Sequence, residues 1–405
     1  MKIRAIALTA LSLFCATFAQ TVPSDLSQAI AELSPDTLGS AVPEQANNDG
    51  CDVTKNPYQL PCEIMPLWDS LNFKQKAAQM VMVYMSPAEF IMKHEFGGIL
   101  VMRSHLSNLT RFKANLGLVN KMSKIQPLVA VDQEGGSVNR MAGIDPKWSK
   151  TPSAKVMRKM SSDSILHLAT EIAAVMKSAG LNMNLAPVLD PALDSRGKKS
   201  FMEVSDRSWG DDTTNAGKVR AFVQGMKAND VVCVSKHFPG YDSWTNSDSQ
   251  IAFSTTPKER IKKNVELFRV LAPDIPVTMM SSVRFIRMST RPAVFEPKIV
   301  NMAREMSPDM VILTDDLWGT SLRAWISGTE RVKSQNYPAK DFKKLVRTAL
   351  EAGNDMFMTT YPQKAVEMIQ NLSVLGLTNK KHKKRIEESC ARILKLKYKM
   401  GLLKI

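Results

Sequence analysis

The stretch VVCVSKH, residues 231–237, is an apolar, β-branched run that ends on a lysine and a histidine, and FPG follows it. Runs of this kind alternate with helical patterns such as 165–179 and 215–228. Eight strands that alternate with helices predict an α/β fold, a (β/α)8 barrel of the TIM type formed by one catalytic domain. The other seven predicted strands cover residues 81–85, 98–102, 128–132, 182–189, 276–282, 311–315 and 355–360.

An open, doubly wound sheet is the structural alternative for the same alternation. Such a sheet normally carries a glycine-rich phosphate loop after its first strand, and neither that loop nor a Walker motif occurs in this sequence. In a barrel the active site lies at the carboxyl ends of the strands. The polar residues at the predicted strand ends are therefore candidate site residues: Asp132, Asp190, His237, Ser282 and Asp315.

The N-terminal residues differ from the predicted barrel in composition. Residues 1–19 begin with MKIR, continue as an apolar run and end in small residues, which predicts a secretory signal peptide. The apolar run falls short of the ~20 residues that a spanning helix needs, so we expect no transmembrane anchor. A lipoprotein is a weaker alternative, because the bulky Phe14 precedes Cys15. We expect an exported protein, either periplasmic or extracellular.

Residues 20–62 are rich in polar residues and proline and lack periodicity, which predicts a linker to a folded domain at 63–405. In an oxidising compartment, Cys51 and Cys62 predict a disulfide bond across a short loop. That bond would contribute on the order of 3 kcal/mol in the chain-entropy model. Cys233 and Cys390 lie in apolar stretches and are expected to be buried thiols.

The chain is basic, with 54 Lys and Arg against 39 Asp and Glu. The densest basic run, KKHKKR at 380–385, is typical of a solvated helix start, and attraction to an anionic polymer of the cell envelope is the functional alternative. Aromatic interleaving and recognition motifs are missing, which argues against nucleic-acid binding. The spacing of Cys and His predicts no metal site, and we expect no metal or organic cofactor.

Several carboxylates on one barrel rim suit glycoside hydrolysis, in which one carboxylate attacks and a second group transfers protons. Three motifs, VDQEGGSVNR at 131–140, KHFPG at 236–240 and TDDL at 314–317, occur in this order. Together they resemble glycoside hydrolase family 3, in its β-N-acetylglucosaminidase branch. Supporting segments at 182–190, 206–210 and 393–397 extend the resemblance over residues 64–405.

The resemblance implies a retaining exo-β-N-acetylglucosaminidase that removes terminal N-acetylglucosamine from peptidoglycan-derived or related β-glycosides. The expected partner is a carbohydrate, either a glycan containing N-acetylglucosamine or a muropeptide. The nucleophile matches Asp315, whereas its neighbour Asp316 is expected to hydrogen-bond to the barrel backbone. Five residues match those that hold the hydroxyls of the terminal sugar: Asp132, Arg140, Arg207, Lys236 and His237.

The proton-transfer loop departs from the family pattern. Relatives carry Asp-Ser-His, whose His acts as acid and base, whereas this chain has Asp248-Ser249-Gln250. An amide does not titrate near neutrality, so Gln250 cannot shuttle a proton. We predict Asp248 as the second catalytic residue, with Asp242 and Tyr241 as open alternatives. Other departures are Ser137 in place of Arg, and Tyr241 and Ser282 in place of His.

Two functional hypotheses follow from this departure. In the first, the chain is a glycosidase with a degenerate acid/base loop, and losing general acid/base assistance costs about 10²–10⁴ in rate. In the second, it is a catalytically impaired sugar-binding barrel of the cell envelope. The retained Asp315 favours the hydrolase. The sequence carries no signal for an oligomeric state.

Overall fold

The computed structural model describes residues 56–210, 213–330 and 336–405. Eight parallel strands close into a barrel in which each strand pairs with its neighbours in chain order. The first strand pairs with both the second and the last, which closes the sheet. The predicted (β/α)8 barrel is thus confirmed. The strands are β1 Val81–Tyr84, β2 Gly98–Val101, β3 Leu128–Val131, β4 Met183–Asn184, β5 Val232–Phe238, β6 Val277–Met280, β7 Val311–Asp316 and β8 Met356–Thr359.

Seven strands lie within two residues of their predicted bounds, and β4 does not. The predicted strand covered residues 182–189, but only Met183–Asn184 is strand. Pro187 has no N–H to donate to a ladder, so the regular pairing cannot run through it. Irregular contacts with β5 continue beyond Asn184, where the carbonyls of Ala186 and Pro187 accept backbone N–H groups of β5 and Val188 forms an isolated bridge with Lys236.

Helices surround the barrel in the described part of the chain. The helical patterns predicted at 165–179 and 215–228 are confirmed as the helices Ser162–Ser178 and Ala216–Lys227. Ser161 caps the first of them by accepting a hydrogen bond from the backbone N–H of Ser164. The helices are α1 Met65–Ser70, α2 Phe73–Gln79, α3 Ala88–His94, α4 Arg103–Leu106, α5 Leu109–Met122, α6 Ala154–Met157, α7 Ser162–Ser178, α8 Phe201–Val204, α9 Ala216–Lys227, α10 Lys258–Leu271, α11 Pro297–Arg304, α12 Thr320–Ser327, α13 Ala339–Ala352, α14 Pro362–Thr378 and α15 Lys380–Lys399.

The N-terminal described residues pack against the last helix. Leu60 and Trp68 form a small apolar cluster with Leu394 of α15. Cys62 forms a disulfide bond. Its predicted partner Cys51 lies outside the described residues, as do the predicted signal peptide and linker residues 20–55. The expectation of buried thiols at Cys233 and Cys390 is confirmed.

Helix α15 is fixed to the N-terminal end of the barrel by an ionic cluster. Asp355, which directly precedes β8, is fully buried and contacts Arg304, Arg385 at 2.8 Å and Arg392 at 3.1 Å. Burial disfavours its charge, but the three guanidinium groups outweigh burial and hold its pKa well below the usual range. In the described ranges, no helix is long and apolar enough to cross a membrane.

A buried lysine in α15 predicts an unusual pH dependence of stability. The ammonium of Lys397 is fully buried and donates a hydrogen bond to Oε1 of Gln79 at 2.7 Å. Burial lowers its pKa to about 7. The unfolded chain therefore binds this proton between pH 7 and about 10.5 while the folded protein does not, so this group makes stability rise with pH across that window, by roughly 1.4 kcal/mol per unit.

We expect Lys397→Met to remove this slope. The variant should be more stable than wild type at pH 6, and its advantage should shrink as the pH rises to 10. Urea unfolding at a series of pH values measures the difference. Lys399→Met, at an exposed position of the same helix, is the control and should follow the wild-type slope. Parallel curves for wild type and Lys397→Met would contradict the assignment.

Candidate active site

A buried ionic network joins the carboxyl ends of β3 and β5. Nζ of Lys236 lies 2.7 Å from Oδ1 of Asp132 and 2.7 Å from Oε1 of Glu134. Arg207 donates two parallel hydrogen bonds to the Glu134 carboxylate, at 2.7 and 2.9 Å. Asp132 is partly exposed, whereas Glu134 and Lys236 are buried. Glu134 thus joins Arg207 to Lys236, and Lys236 in turn holds Asp132, so that three of the residues predicted to bind sugar lie in one network.

Glu134 and Lys236 are both ionised at neutral pH. Burial disfavours the charge of Glu134, but Lys236 and then Arg207 outweigh burial and lower the pKa of Glu134 to about 2. Burial likewise opposes the ammonium of Lys236, and the charges of Asp132 and Glu134 overcome it and raise its pKa. The candidate site therefore presents fixed charges that need no rearrangement to meet a polar ligand.

Glu134 is the residue that sequence reasoning missed. It lies on the short strand Gln133–Gly135, which pairs antiparallel with Val138–Asn139. Glu134 is two residues after Asp132, and side chains two residues apart in an extended chain point to the same face. This spacing could have identified Glu134 from the sequence.

The same hairpin positions Arg140. The amide of Asn184 brackets the backbone of Gln133 with two hydrogen bonds of 3.0 Å. Oε1 of Gln133 in turn accepts the backbone N–H of Arg140 at 2.9 Å. Gly135 has a φ of 84°, and a Cβ there would lie 2.0 Å from the carbonyl oxygen of Pro152. Within the described chain, the buried Nε of Arg140 has no partner, so this guanidinium is free to bind a ligand.

His237 is oriented by a fully buried carboxylate. Oδ2 of Asp190 lies 2.6 Å from Nδ1 of His237, and Oδ1 accepts the backbone N–H groups of His237 at 2.9 Å and Tyr241 at 2.6 Å. A carboxylate only accepts, so Nδ1 carries a proton, and in the neutral ring Nε2 is the acceptor. Asp190, which the sequence places at a strand end, thus orients His237.

The two adjacent aspartates at the end of β7 have different environments. Asp316 accepts the backbone N–H of Trp318 at 2.9 Å and the hydroxyl of Thr360 at 2.6 Å. Burial raises the pKa of Asp316 to about 6, and the charge of Asp315 adds to the rise. The expected backbone role of Asp316 is therefore confirmed. Oδ1 of Asp315 accepts only the N–H of Asp316, at 2.8 Å, among the hydrogen bonds of the described residues.

The structure separates the three candidate acids of the loop after β5. The Tyr241 hydroxyl donates to the carbonyl of Thr245 and accepts the N–H of Ser247 at 2.8 Å, and burial raises the pKa of Tyr241 to about 12. The Asp242 carboxylate is buried against the hydroxyl of Thr256. Both side chains are therefore engaged in holding the loop.

The charges of several other site residues influence the pKa of Asp248. It is exposed as a residue, but protein atoms around its carboxylate raise its pKa, and the negative charge of Asp315 raises it further. Arg207 acts in the opposite direction, as does His237 when both of its ring nitrogens are protonated. Desolvation is likewise the largest influence on the pKa of Asp242, but the charge that acts on it is that of Arg260. Of these two loop carboxylates, Asp248 is the one whose pKa the charge of Asp315 raises.

Glu134→Gln should destabilise the protein strongly. Removing the shared carboxylate leaves Lys236 and Arg207 under-compensated in a buried site, which costs about 3–5 kcal/mol. Chemical denaturation at neutral pH measures the loss. Asp206→Asn is the matched control, because it breaks the exposed pair with Lys155 at 2.7 Å and should cost about 0–1 kcal/mol. Equal losses for the two variants would contradict the buried network.

The described residues contain no group of three or more His, Cys, Asp or Glu side chains placed to hold a metal ion.

Comparison with known proteins identifies the family. The chain is 27% identical over 288 residues to a protein named beta-hexosaminidase from Pseudomonas aeruginosa, covering 69% of this chain and 79% of that protein. The crystal structure of a beta-N-acetylhexosaminidase from Beutenbergia cavernae superposes with a TM-score of 0.70 at 23% identity, over 81% of this chain and 99% of that chain. A family 3 beta-N-acetylglucosaminidase from a Paenibacillus species also gives 0.70 at 23% identity, over 82% and 63%. Residues 72–396 match the glycosyl hydrolase family 3 N terminal domain, and the chain therefore belongs to glycosyl hydrolase family 3.

Proposed function

We propose that this chain is a retaining exo-β-N-acetylglucosaminidase that hydrolyses terminal N-acetylglucosamine from peptidoglycan-derived or related β-glycosides. The observation that carries the proposal is that the charge of one carboxylate, Asp315, raises the pKa of a second, Asp248, beside one cationic network. Retaining glycosidases need such a pair, one ionised to attack and one protonated to donate. The relatives named beta-hexosaminidase support the class of substrate.

The terminal sugar would bind over the ionic network. The carboxylate of Asp132 is exposed enough to accept a hydrogen bond from a sugar hydroxyl. Lys236 holds Asp132 in place through their ion pair, and Arg207 belongs to the same network. Arg140 offers unpaired donors, and Nε2 of His237 offers an acceptor. Charged groups of both signs around one small volume suit a polyhydroxylated ring, because each hydroxyl both donates and accepts.

In the first step, the carboxylate of Asp315 attacks the anomeric carbon as the glycosidic C–O bond breaks. The protonated carboxyl of Asp248 gives its proton to the departing oxygen, which leaves as an alcohol. The raised pKa of Asp248 favours the protonated form that this step needs.

In the second step, water attacks the same carbon, the bond to Asp315 breaks, and Asp248 accepts the proton of the water. Esterification removes the negative charge of Asp315, which is one cause of the raised pKa of Asp248. The pKa of Asp248 therefore falls once the intermediate forms. One residue thus serves as acid and then as base.

The alternative is a sugar-binding barrel without turnover. It is favoured by Gln250, which stands where the family has a histidine and is exposed. We also propose that either activity operates outside the cytoplasm, on the strength of residues 1–19 alone.

The experiment that tests the proposal compares p-nitrophenyl β-N-acetylglucosaminide with the corresponding β-glucoside and with a disaccharide of the peptidoglycan type. We expect release of p-nitrophenol from the N-acetylglucosaminide and slow cleavage of the disaccharide. Calorimetric binding without cleavage of any of the three would favour the sugar-binding alternative. Neither binding nor cleavage would overturn both.

Gln250→His should accelerate cleavage of the disaccharide. A titratable side chain two residues from Asp248 would restore proton transfer assistance, which is worth about 10²-fold or more when fully effective. Initial rates with the disaccharide measure the gain, and Gln250→Asn is the control that changes size without adding a titratable group. A rate that does not rise would show that position 250 does not face the reacting oxygen.

A further inference from the structure

A basic groove lies between helices α13, α14 and the start of α15. Two adjoining cavities of about 440 and 660 Å³ form it, and both are lined by Arg347 and Leu375. Glu351 is the one carboxylate among their lining residues. The cationic lining residues are Lys340, Lys343, Lys344, Arg347, Lys381 and Arg385.

The positive charge of the groove is not neutralised within the described parts of the chain. Glu351 is already contacted by His382 at 3.1 Å and by Arg347 at 4.0 Å. Lys343 and Lys381 are exposed and form no ion pair with a described residue. Lys380 and Lys383, also exposed, extend the basic surface beyond the groove. An anionic partner would therefore meet lysines that have no competing carboxylate.

Two aliphatic side chains protrude beside these lysines. Val374 is 59% exposed and Leu377 is 73% exposed, the highest value among the large apolar side chains described. They are three residues apart on α14 and so lie on neighbouring positions of one face. Exposed aliphatic side chains next to lysines are typical of protein surfaces that bind at a lipid interface.

The groove lies away from the catalytic rim. Arg385 in its lining also binds Asp355, which directly precedes β8 and so marks the N-terminal end of that strand. The candidate catalytic residues lie at the opposite, carboxyl ends of the strands. A flat surface bound at the groove would leave the catalytic rim open.

We propose that this groove docks the protein onto an anionic phospholipid bilayer. Each Lys or Arg near an anionic bilayer is attracted to it, and the protruding leucine and valine add burial of apolar surface in the interface. A soluble polyanion would engage the lysines but would leave Val374 and Leu377 in water. The proposal does not depend on the glycosidase activity.

The test is co-sedimentation of the full chain with phosphatidylcholine vesicles that contain or lack phosphatidylglycerol. We expect binding only when the anionic lipid is present. Lys343→Glu/Lys381→Glu should weaken binding about 10²-fold or more, since two attractive charges become repulsive. Lys262→Glu/Lys263→Glu makes the same charge change at exposed positions of α10 and should bind as wild type. The apolar N-terminal segment is common to all variants and cannot produce this difference.

Leu377→Ser separates a bilayer from other partners. It should weaken vesicle binding severalfold while leaving the folded state unchanged by circular dichroism.

Equal losses in the two double variants would mean unspecific attraction by net charge and would overturn the proposal. The proposal would also be overturned if the protein did not bind vesicles but bound peptidoglycan sacculi or inorganic polyphosphate through Lys343 and Lys381. A groove variant that changes the oligomeric state in light scattering, with no vesicle binding by wild type, would instead identify a second copy as the occupant.

Discussion

Asp315→Asn is expected to abolish hydrolysis and to leave the fold intact. The amide is nearly the same size but cannot attack the anomeric carbon, and loss of the nucleophile in another covalent enzyme costs on the order of 10⁶ in rate. We therefore expect a fall of roughly 10⁴-fold or more in kcat for p-nitrophenyl β-N-acetylglucosaminide. Circular dichroism and calorimetric sugar binding should show an intact site, because the ionic network contains other residues.

Asp316→Asn is the matched control for this prediction. Asp316 accepts hydrogen bonds from Trp318 and Thr360, so its replacement should lower stability more than it lowers the catalytic rate. If Asp316→Asn were inactive and Asp315→Asn cleaved as fast as wild type, the two roles would be reversed.

Asp248→Asn should have the second largest effect, and the effect should depend on the leaving group. A poor leaving group needs the proton of Asp248, so cleavage of the disaccharide should fall about 10²–10⁴-fold. The first step with a p-nitrophenyl glycoside needs little protonation and should be nearly unchanged. Initial rates with a series of aryl glycosides of graded phenol pKa measure this dependence.

The dependence of activity on pH tests the acid role of Asp248 independently. Because Asp248 must be protonated to act as the acid, wild-type activity should fall as the pH rises through its raised pKa. The basic limb should disappear in Asp248→Asn. Asp242→Asn and Tyr241→Phe, which alter loop contacts instead, should keep this limb. A basic limb that is lost only in Asp242→Asn would transfer the acid role to Asp242.

The fold was accessible from the sequence because each buried parallel strand is a compact apolar run between helical patterns. The run at 311–315, for example, becomes β7 Val311–Asp316 with one added residue. The fourth strand was overestimated, because the apolar composition of 182–189 continues past Asn184, where the regular ladder ends, and Pro187 has no N–H with which to extend it. Apolar composition indicates which residues are buried. The backbone N–H groups available for hydrogen bonding determine where the strand ends.

The ionic partners in the site were less accessible from the sequence. Lys236 meets Glu134 across a sequence separation that only barrel closure brings together, and no local pattern specifies that contact. The choice among Tyr241, Asp242 and Asp248 also needed three dimensions. It depends on which side chain is engaged by the loop itself, and that follows from the packing of Thr245 and Thr256.

The central claim is that Asp315 forms a covalent bond to the sugar, and trapping that intermediate tests it most directly. In Asp248→Asn the second step lacks its base. With p-nitrophenyl β-N-acetylglucosaminide as substrate, the sugar should therefore become covalently bound to the enzyme faster than water releases it. Rapid acid quenching followed by peptide mass mapping should find one N-acetylhexosaminyl residue on the peptide that contains Asp315. An unmodified protein during turnover, or an adduct on a different residue, would contradict the account.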